Sequence, residues 1–578
     1  MRVSDCTQFL KKPVAGIAAA VLCISSYAAS QVPVAAEHGM VVTAQHLASE
    51  VGVNVLKKGG NAVDAAVAVG YALAVVYPAA GNLGGGGFMT IQLADGRKTF
   101  LDFREKAPLA AKPDMYLDKD GNVVKGASTT GYLAVAVPGS VAGMEYALAK
   151  YGTMKRGTVI APAIALADRG FVLAQGDVDI FRTATDDFRK DPPSAAIFLK
   201  KGEPYGVGDR FVQKDLAGTL RRIARQGAAG FYQGPVAAAI VASSRAGGGI
   251  VSQADLDQYK VRELAPVECD YRGYHIISAP PPSSGGVVIC EILNVLEGYP
   301  LRDLGFRSAQ SVHYQIEAMR HAYVDRNSYL GDPDFVKNPL DRLLAKSYAA
   351  SLRQVIDPAK AGISAEIKPG VAPHEGSNTT HYSIVDKDGN AVSVTYTLND
   401  WFGAKVTAAG TGVMLNDEMD DFTVKVGVPN LYGLVQGQAN SIAPGKTPLS
   451  SMSPTIVTQG GKTVMVVGTP GGSRIITAVL HTILNVVDYD MDLQEAVDAP
   501  RFHQQWLPET TNVERFALSP DTRKILEGMG HKFGNPQPAN HVAAILVGAP
   551  SLKGQPVGRN RYYGANDPRK NTGLARGY

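Results

Sequence analysis

Tryptophan and cysteine are scarce: 578 residues hold two tryptophans and four cysteines. No CxxC, HExxH or clustered His/Cys pattern occurs, so the sequence lends no support to a metal site, and no cofactor is expected. A dominant charge is also missing. The formal net charge of +4 is small and dispersed, and no basic run is interleaved with aromatics, which argues against a nucleic-acid partner. The glycines Gly84 to Gly87 are followed by a strand-like segment and no Lys-Ser/Thr. They read as a packed backbone turn rather than a phosphate loop. No internal repeat is evident.

What is present is ordinary globular composition, 45% hydrophobic and 19% charged, with 62 glycines and 34 prolines that imply many tight turns. The N-terminus differs. Lys11 and Lys12 precede "PVAGIAAAVLCISSYAAS", the layout of a secretory signal peptide over residues 1–30, with cleavage after Ala28 or Ser30. The apolar run is short for a membrane span, which needs roughly 20 residues. Leu22 before Cys23 is too bulky for a lipoprotein site. Cys6 and Cys23 leave with the signal. Cys269 and Cys290 remain in strand-like contexts and either pair or act as buried thiols.

Apolar residues recur at helical spacing from Gln45 to Leu56. Gly59 and Gly60 stop that helix, and Asn61 caps a second, Ala/Val-rich one reaching about Val76. "GYLAVAVPGSVAGMEYALAKYG" reads as strand, turn and helix. Ser140 sits at the turn as a helix cap, since the G-x-S-x-G spacing of a serine nucleophile is absent. Residues 367–378 form a loop by composition. Beyond them "HYSIVD", "AVSVTYT" and "SSMSPTIVTQGGKTVMVVGTPGG" read as hairpins, and "SRIITAVLHTILNVVDYDMDLQEAVDAP" as helix. The whole fits a layered α/β protein.

The hairpin after Thr379 carries the chemical question. A three-residue turn, Lys387-Asp388-Gly389 with glycine left-handed, pairs Asp386 with Asn390 and therefore Thr379 with Thr397. Facing side chains have Cβ atoms about 4.5–5.5 Å apart, within hydroxyl reach. A two-residue turn would place Leu398 opposite instead. Thr379 either opens a strand and nothing more, or becomes a new N-terminus when the chain is cut before it. In the second case the freed α-amine, of reference pKa about 7.7–8.0, is a general base for the Thr379 hydroxyl. The uncut chain would use the same hydroxyl against the carbonyl of Asn378.

"TTHYSIVDKDGNAVSVTYTLN", "LNDEMDDF", "PLSSMSPT" and "GTPGGSR" occur in this order, after "GGNAVDAAVA", "GNLGGGGFM", "LDFREKAP" and "PPSSGG". Together they resemble the gamma-glutamyltranspeptidase family from about Gly39 to the C-terminus. The resemblance implies an N-terminal-nucleophile hydrolase with an αββα sandwich, formed by two subunits cut from one precursor. The large subunit would be residues 31–378, ending in a processing loop at 367–378, and the small subunit residues 379–578. The two would stay together as a heterodimer.

Carried over by motif, Thr379 is the nucleophile and Thr397 its hydroxyl partner. Asn399, Glu418 and Asp421 would hold the α-ammonium of a γ-glutamyl substrate. Arg104, Ser450 and Ser451 would hold its α-carboxylate. The amides of Gly471 and Gly472 would form the oxyanion hole, and the loop carrying Tyr432 would be a lid. Glu418 and Asp421 are three apart and converge if the segment turns helically. Taken singly, Arg104 with Asp102 and Glu105 also reads as a surface ion pair, Asp420-Asp421 as a solvated turn, and Ser450-Ser451 as a loop. The implied activity is self-processing γ-glutamyl transfer and hydrolysis in an exported protein, periplasmic if the source is bacterial or else secreted, with glutathione-like donors and water, amino acids or dipeptides as acceptors. The alternatives are a β-lactam side-chain acylase of the same fold and an uncut γ-glutamyl-binding protein.

Overall fold

The computed structural model describes residues 30–367, 379–537 and 540–578. Residues 1–29 of the expected signal peptide, and residues 368–378 of the expected processing loop with Asn378, lie outside the described residues. In chain order the sheet strands are β1 (Val34–Ala36), β2 (Met40–Thr43), β3 (Gly86–Gln92), β4 (Lys98–Phe103), β5 (Arg262–Leu264), β6 (Val267–Tyr271), β7 (Tyr274–Ser278), β8 (Thr380–Val385), β9 (Ala391–Thr397), β10 (Thr455–Gln459), β11 (Lys462–Gly468), β12 (Ala543–Val547), β13 (Tyr562–Asn566) and β14 (Leu574–Gly577). The helices that matter below are α1 (His46–Lys57), α2 (Ala62–Val76), α3 (Ser140–Tyr151), α4 (Gly285–Leu296), α5 (Ala309–Tyr329) and α6 (Arg474–Val487).

The strands form two seven-stranded sheets, ordered β1-β13-β12-β11-β10-β7-β6 and β14-β2-β8-β9-β3-β4-β5. Each sheet interleaves strands from before and after residue 379. Three apolar layers hold them. Met40, Val42, Val385 and Ala391 of one sheet meet Ile277, Ile456, Val466 and Ile545 of the other. Val41, Ile384, Val392 and Tyr396 pack outward against α1 and α2. Val457, Met465 and Val467 pack outward against α4, α5 and α6. This is helix, sheet, sheet, helix, as expected.

Local structure follows from residue type. Asn61 and Asp64 close a capping box at the start of α2, whose fifteen residues are all buried. Because β8 and β9 are covered on both faces, their alternating pattern separates two buried environments rather than core from solvent. Other expectations need correction. Cys290 lies in α4, not in a strand, and is disulfide-bonded to Cys269 on β6. "GYLAVAVP" forms a short 3-10 turn and a single bridge from Val137 to Lys106. Ser140 opens α3 but does not cap it. Gly139 holds the cap position, and the Ser140 hydroxyl donates to Asn82 Oδ1 at 2.6 Å. No described helix is long and apolar enough to cross a membrane.

Candidate active site

The hairpin sets the geometry. Asp386 N–H donates to Asn390 O at 3.0 Å, and Gly389 takes φ +93° in the turn. Thr380 pairs with Tyr396, so Thr379 falls opposite Thr397 on the face turned toward the other sheet. Their hydroxyl oxygens are 3.1 Å apart and both residues are buried. Asn399 N–H donates to Thr397 Oγ1 at 2.8 Å. Either hydroxyl can be the donor in the Thr379–Thr397 pair.

The glycine run explains how Thr397 is held. Its carbonyl accepts from Asn82 Nδ2 at 2.8 Å, and a Cβ on Gly85 would stand 1.9 Å from the same oxygen. Only bare backbone fits there. Gly86 and Gly87 belong to β3 and pair with Thr397 and Tyr396.

A cleft enclosing about 290 Å³ opens beside the threonines. Arg104, Arg326, Asn399, Glu418, Asp421, Tyr432, Ser450, Ser451 and Gly472 line it with Thr379 and Thr397. Of the expected site residues among those described, only Gly471 is not on its wall. Glu418 to Asp421 form one 3-10 turn, so both carboxylates reach Arg104, each at 2.5 Å. Arg104 is 1% exposed. It is thus no surface pair, and Asp420-Asp421 is no solvated turn.

Three acids, Glu105, Glu418 and Asp421, face this one guanidinium, and Asp417 and Asp420 flank them in the chain. Burial pushes Glu418 and Asp417 well above the usual carboxylate range, against the pull of Arg104 on Glu418 and of Lys405 on Asp417. Burial raises Glu105 to about 7 and Asp420 to about 6. Surplus acid in a dry site favours a second cation.

Ser450 and Ser451 are held by "PPSSGG". Ser450 N–H donates to Pro282 O at 2.9 Å, and Ser284 Oγ to Ser450 O at 2.7 Å. Arg326, in α5, donates to Ser284 Oγ at 2.9 Å and to Ser451 Oγ at 3.0 Å. Burial, together with Arg104, lowers its pKa to about 10. Sequence reasoning missed Arg326, because an arginine within "HAYVDR" carries no local mark of burial. In this structure the serines therefore meet Arg326, while Arg104 meets the acids.

The loop carrying Tyr432, expected to be a lid, lies against the cleft. Tyr432 Oη donates to Asn399 O at 2.8 Å. Asn430 Nδ2 donates to Asp421 Oδ1 at 3.3 Å and Leu431 N–H to Asp420 Oδ2 at 2.8 Å. Gln505 Nε2 donates to the carbonyl of Gly433 in the same loop at 3.2 Å, while its Oε1 accepts from Ser473 Oγ at 2.5 Å. Gly471 and Gly472 precede α6 with φ +128° and +56°. A Cβ on Gly472 would meet the Tyr432 ring at 2.3 Å, and one on Gly471 the Asn540 amide at 2.2 Å. Neither position admits a side chain. Their amides sit at a helix N-terminus, where partial positive charge gathers.

The sequence profile of the gamma-glutamyltranspeptidase family matches residues 48–577. The chain belongs to this family. Among the family's sequences, the glutathione hydrolase proenzyme of a Pseudomonas species is 78% identical, covering 96% of each chain. The glutathione hydrolase proenzyme of Escherichia coli is 50% identical, over 94% of this chain and 93% of its own. The crystal structure of a cephalosporin acylase from Bacillus halodurans superposes with a TM-score of 0.82 at 26% identity, over 96% of this chain and 98% of that one. It has the same layered fold.

Proposed function

We propose that the chain is a self-processing γ-glutamyl acyltransferase and hydrolase acting on glutathione and related compounds. The observation that carries this reading is the buried Thr379–Thr397 hydroxyl pair, 3.1 Å apart, in the same cleft as the acid-ringed Arg104. The names of the two similar proenzymes support it.

In the uncut chain, Thr379 Oγ1 attacks the Asn378 carbonyl, its proton passing to the departing Thr379 nitrogen. Water then hydrolyses the ester, leaving residues 31–378 and 379–578 as two chains that stay associated. The freed amine is the general base of the mature enzyme, help worth roughly 10²–10⁴ in rate. Thr379 Oγ1 next attacks the γ-amide carbon of the donor and its proton moves to that amine. The Gly471 and Gly472 N–H groups hold the oxyanion, each donor being worth about 2.7–4 kcal/mol. Collapse breaks the C–N bond as the amine returns the proton to the leaving nitrogen. Water or an acceptor amine then cleaves the ester, giving ping-pong kinetics.

A γ-glutamyl group carries an ammonium and a carboxylate on one carbon. The ammonium joins Asn399, Glu418 and Asp421, adding the cation that the surplus acid favours. The carboxylate takes Arg104, Ser450 and Ser451, with Arg326 behind them. The lid over the cleft suits a small donor and excludes water. The expected N-terminal signal supports export, to a periplasm or to the outside of the cell.

Intact mass under denaturing conditions, with N-terminal sequencing of the smaller chain, tests the cut. A small chain beginning at Thr379 is expected; one chain that stays whole sinks the proposal and favours a binding protein. The acylase fold match makes side-chain acylation the second reading. A glutaryl amide turned over faster than γ-glutamyl-p-nitroanilide would favour it.

A further inference from the structure

A second polar cluster lies away from the cleft, on α5. His313 and Glu317 are one turn apart on the same face of that helix. His531, after the left-handed Gly530 at φ +102°, brings a third donor against them. All three are buried, and one ligand-type atom from each lies within 4.8 Å of the others. We propose that His313, Glu317 and His531 form a transition-metal site, for Zn²⁺ or a similar ion, joining α5 to the C-terminal part of the chain. The site stands independently of the function proposed above.

The hydrogen bonds prepare it. His313 Nε2 contacts the Asp357 carbonyl at 2.7 Å and must donate to it. That fixes the tautomer and leaves the Nδ1 lone pair aimed into the cluster, the orienting bond that metal-bound histidines make. His531 Nε2, 2.8 Å from His313 Nδ1, then carries the shared proton. An ion takes that proton's place. The His531 ring stays neutral by holding its proton on Nδ1, which has no hydrogen-bond partner among the described residues, so the tautomer change sacrifices no contact there. The two nitrogens must part to about 3.3 Å to sit on a tetrahedral ion at about 2.0–2.1 Å. A shift of that size is within the reach of two side chains.

Glu317 accepts from Arg320 Nε at 3.3 Å and from Gly362 N–H at 3.2 Å. A carboxylate has about four acceptor directions, so one remains for an ion. A cleft of about 680 Å³, lined by Glu317, His321 and Asp357, reaches the Glu317 side of the cluster. Two imidazoles and one carboxylate suit Zn²⁺, Co²⁺ or Ni²⁺ rather than Ca²⁺ or Mg²⁺. Because Asp357 and Gly362 hydrogen-bond to the ligands, the ion would also brace the stretch leading toward residue 368.

The test uses the full protein, stripped with a chelator and titrated with Zn²⁺ and Co²⁺. Binding of one equivalent at micromolar metal, with the visible spectrum of tetrahedral Co²⁺, is expected. His531→Gln and Glu317→Gln should each weaken binding at least ~10-fold, and His46→Gln should not. No stoichiometric binding by the parent protein, or equal binding by the ligand variants, overturns the site. Should those variants fail to fold, X-ray absorption of the Zn²⁺-loaded parent protein decides: two imidazole ligands support the site, fewer overturn it.

Discussion

The β8–β9 hairpin has two buried faces that differ in kind. Tyr382, Ile384, Val392, Val394 and Tyr396 look outward onto the helices and form an apolar seam. Toward Thr379 the inward face is a ladder of hydroxyls and one imidazole, which gives way to Val385 and Ala391 near the turn. Thr379 meets Thr397, His381 Nδ1 meets Thr395 Oγ1 at 2.8 Å, and Ser383 Oγ donates to Ala543 O at 3.0 Å. A Cβ on Gly468 would strike the His381 ring at 2.2 Å, so the facing strand yields space to this ladder. Burial alone does not separate the faces. Chemistry does: one face packs apolar side chains on the helices, and the other holds hydroxyls and an imidazole in a dry, hydrogen-bonded place.

Substitutions should split accordingly. Thr379→Ala deletes the proposed nucleophile and leaves its nitrogen in the uncut peptide bond, so turnover should fall by on the order of 10⁴–10⁶, the chain should stay whole on a denaturing gel, and the thermal midpoint should barely move. Ile384→Ala, five residues along the same strand on the other face, should do the reverse. A loss of about 2–5 kcal/mol in denaturant unfolding is expected, with kcat unchanged for the protein that folds. If Ile384→Ala lowered kcat as severely as stability, the division of labour between faces would be wrong.

Thr397→Val keeps the shape and deletes the hydroxyl. A loss of roughly 10–10² in kcat is expected, little change in KM, and slower cutting of the precursor. The smallest effect concerns His381. Burial lowers its pKa from 6.5 to about 3, so it stays neutral while its unfolded counterpart takes up a proton. Between pH 6.5 and 3 the unfolded state binds more protons, so this residue's contribution to stability declines as pH falls, by at most about 1.4 kcal/mol per pH unit. Unfolding titrations across that window should be shallower for His381→Asn; an identical slope would remove His381 from the account.

Much of this was legible in the chain. The turn Asp386-Lys387-Asp388-Gly389 dictates register because glycine takes the left-handed position, and register parity alone places Thr379 opposite Thr397. Glu418 and Asp421 converge because three residues make one 3-10 turn. What escaped reading depends on partners far apart in sequence. Arg326 reaches Ser451 across 125 residues, and His313 meets His531 across 218. Periodicity has no term for such contacts. Ser140 misled for the same reason, since its hydroxyl turns to Asn82 instead of to its own helix. "GGVVIC" misled because a short apolar run cannot separate a buried helix from a strand.

The interleaving of the sheets has a consequence for time as well as for shape. Strands from the two sides of residue 379 neighbour each other at five junctions: β1–β13, β10–β7, β14–β2, β2–β8 and β9–β3. Neither side closes a sheet by itself. While the chain is continuous, these pairings form in an intramolecular search. Once it is cut, the same pairings become an encounter between two molecules, whose rate depends on dilution. Maturation before Thr379 would thus turn folding into an event each copy completes once, and the mature enzyme would persist by unfolding slowly rather than by refolding.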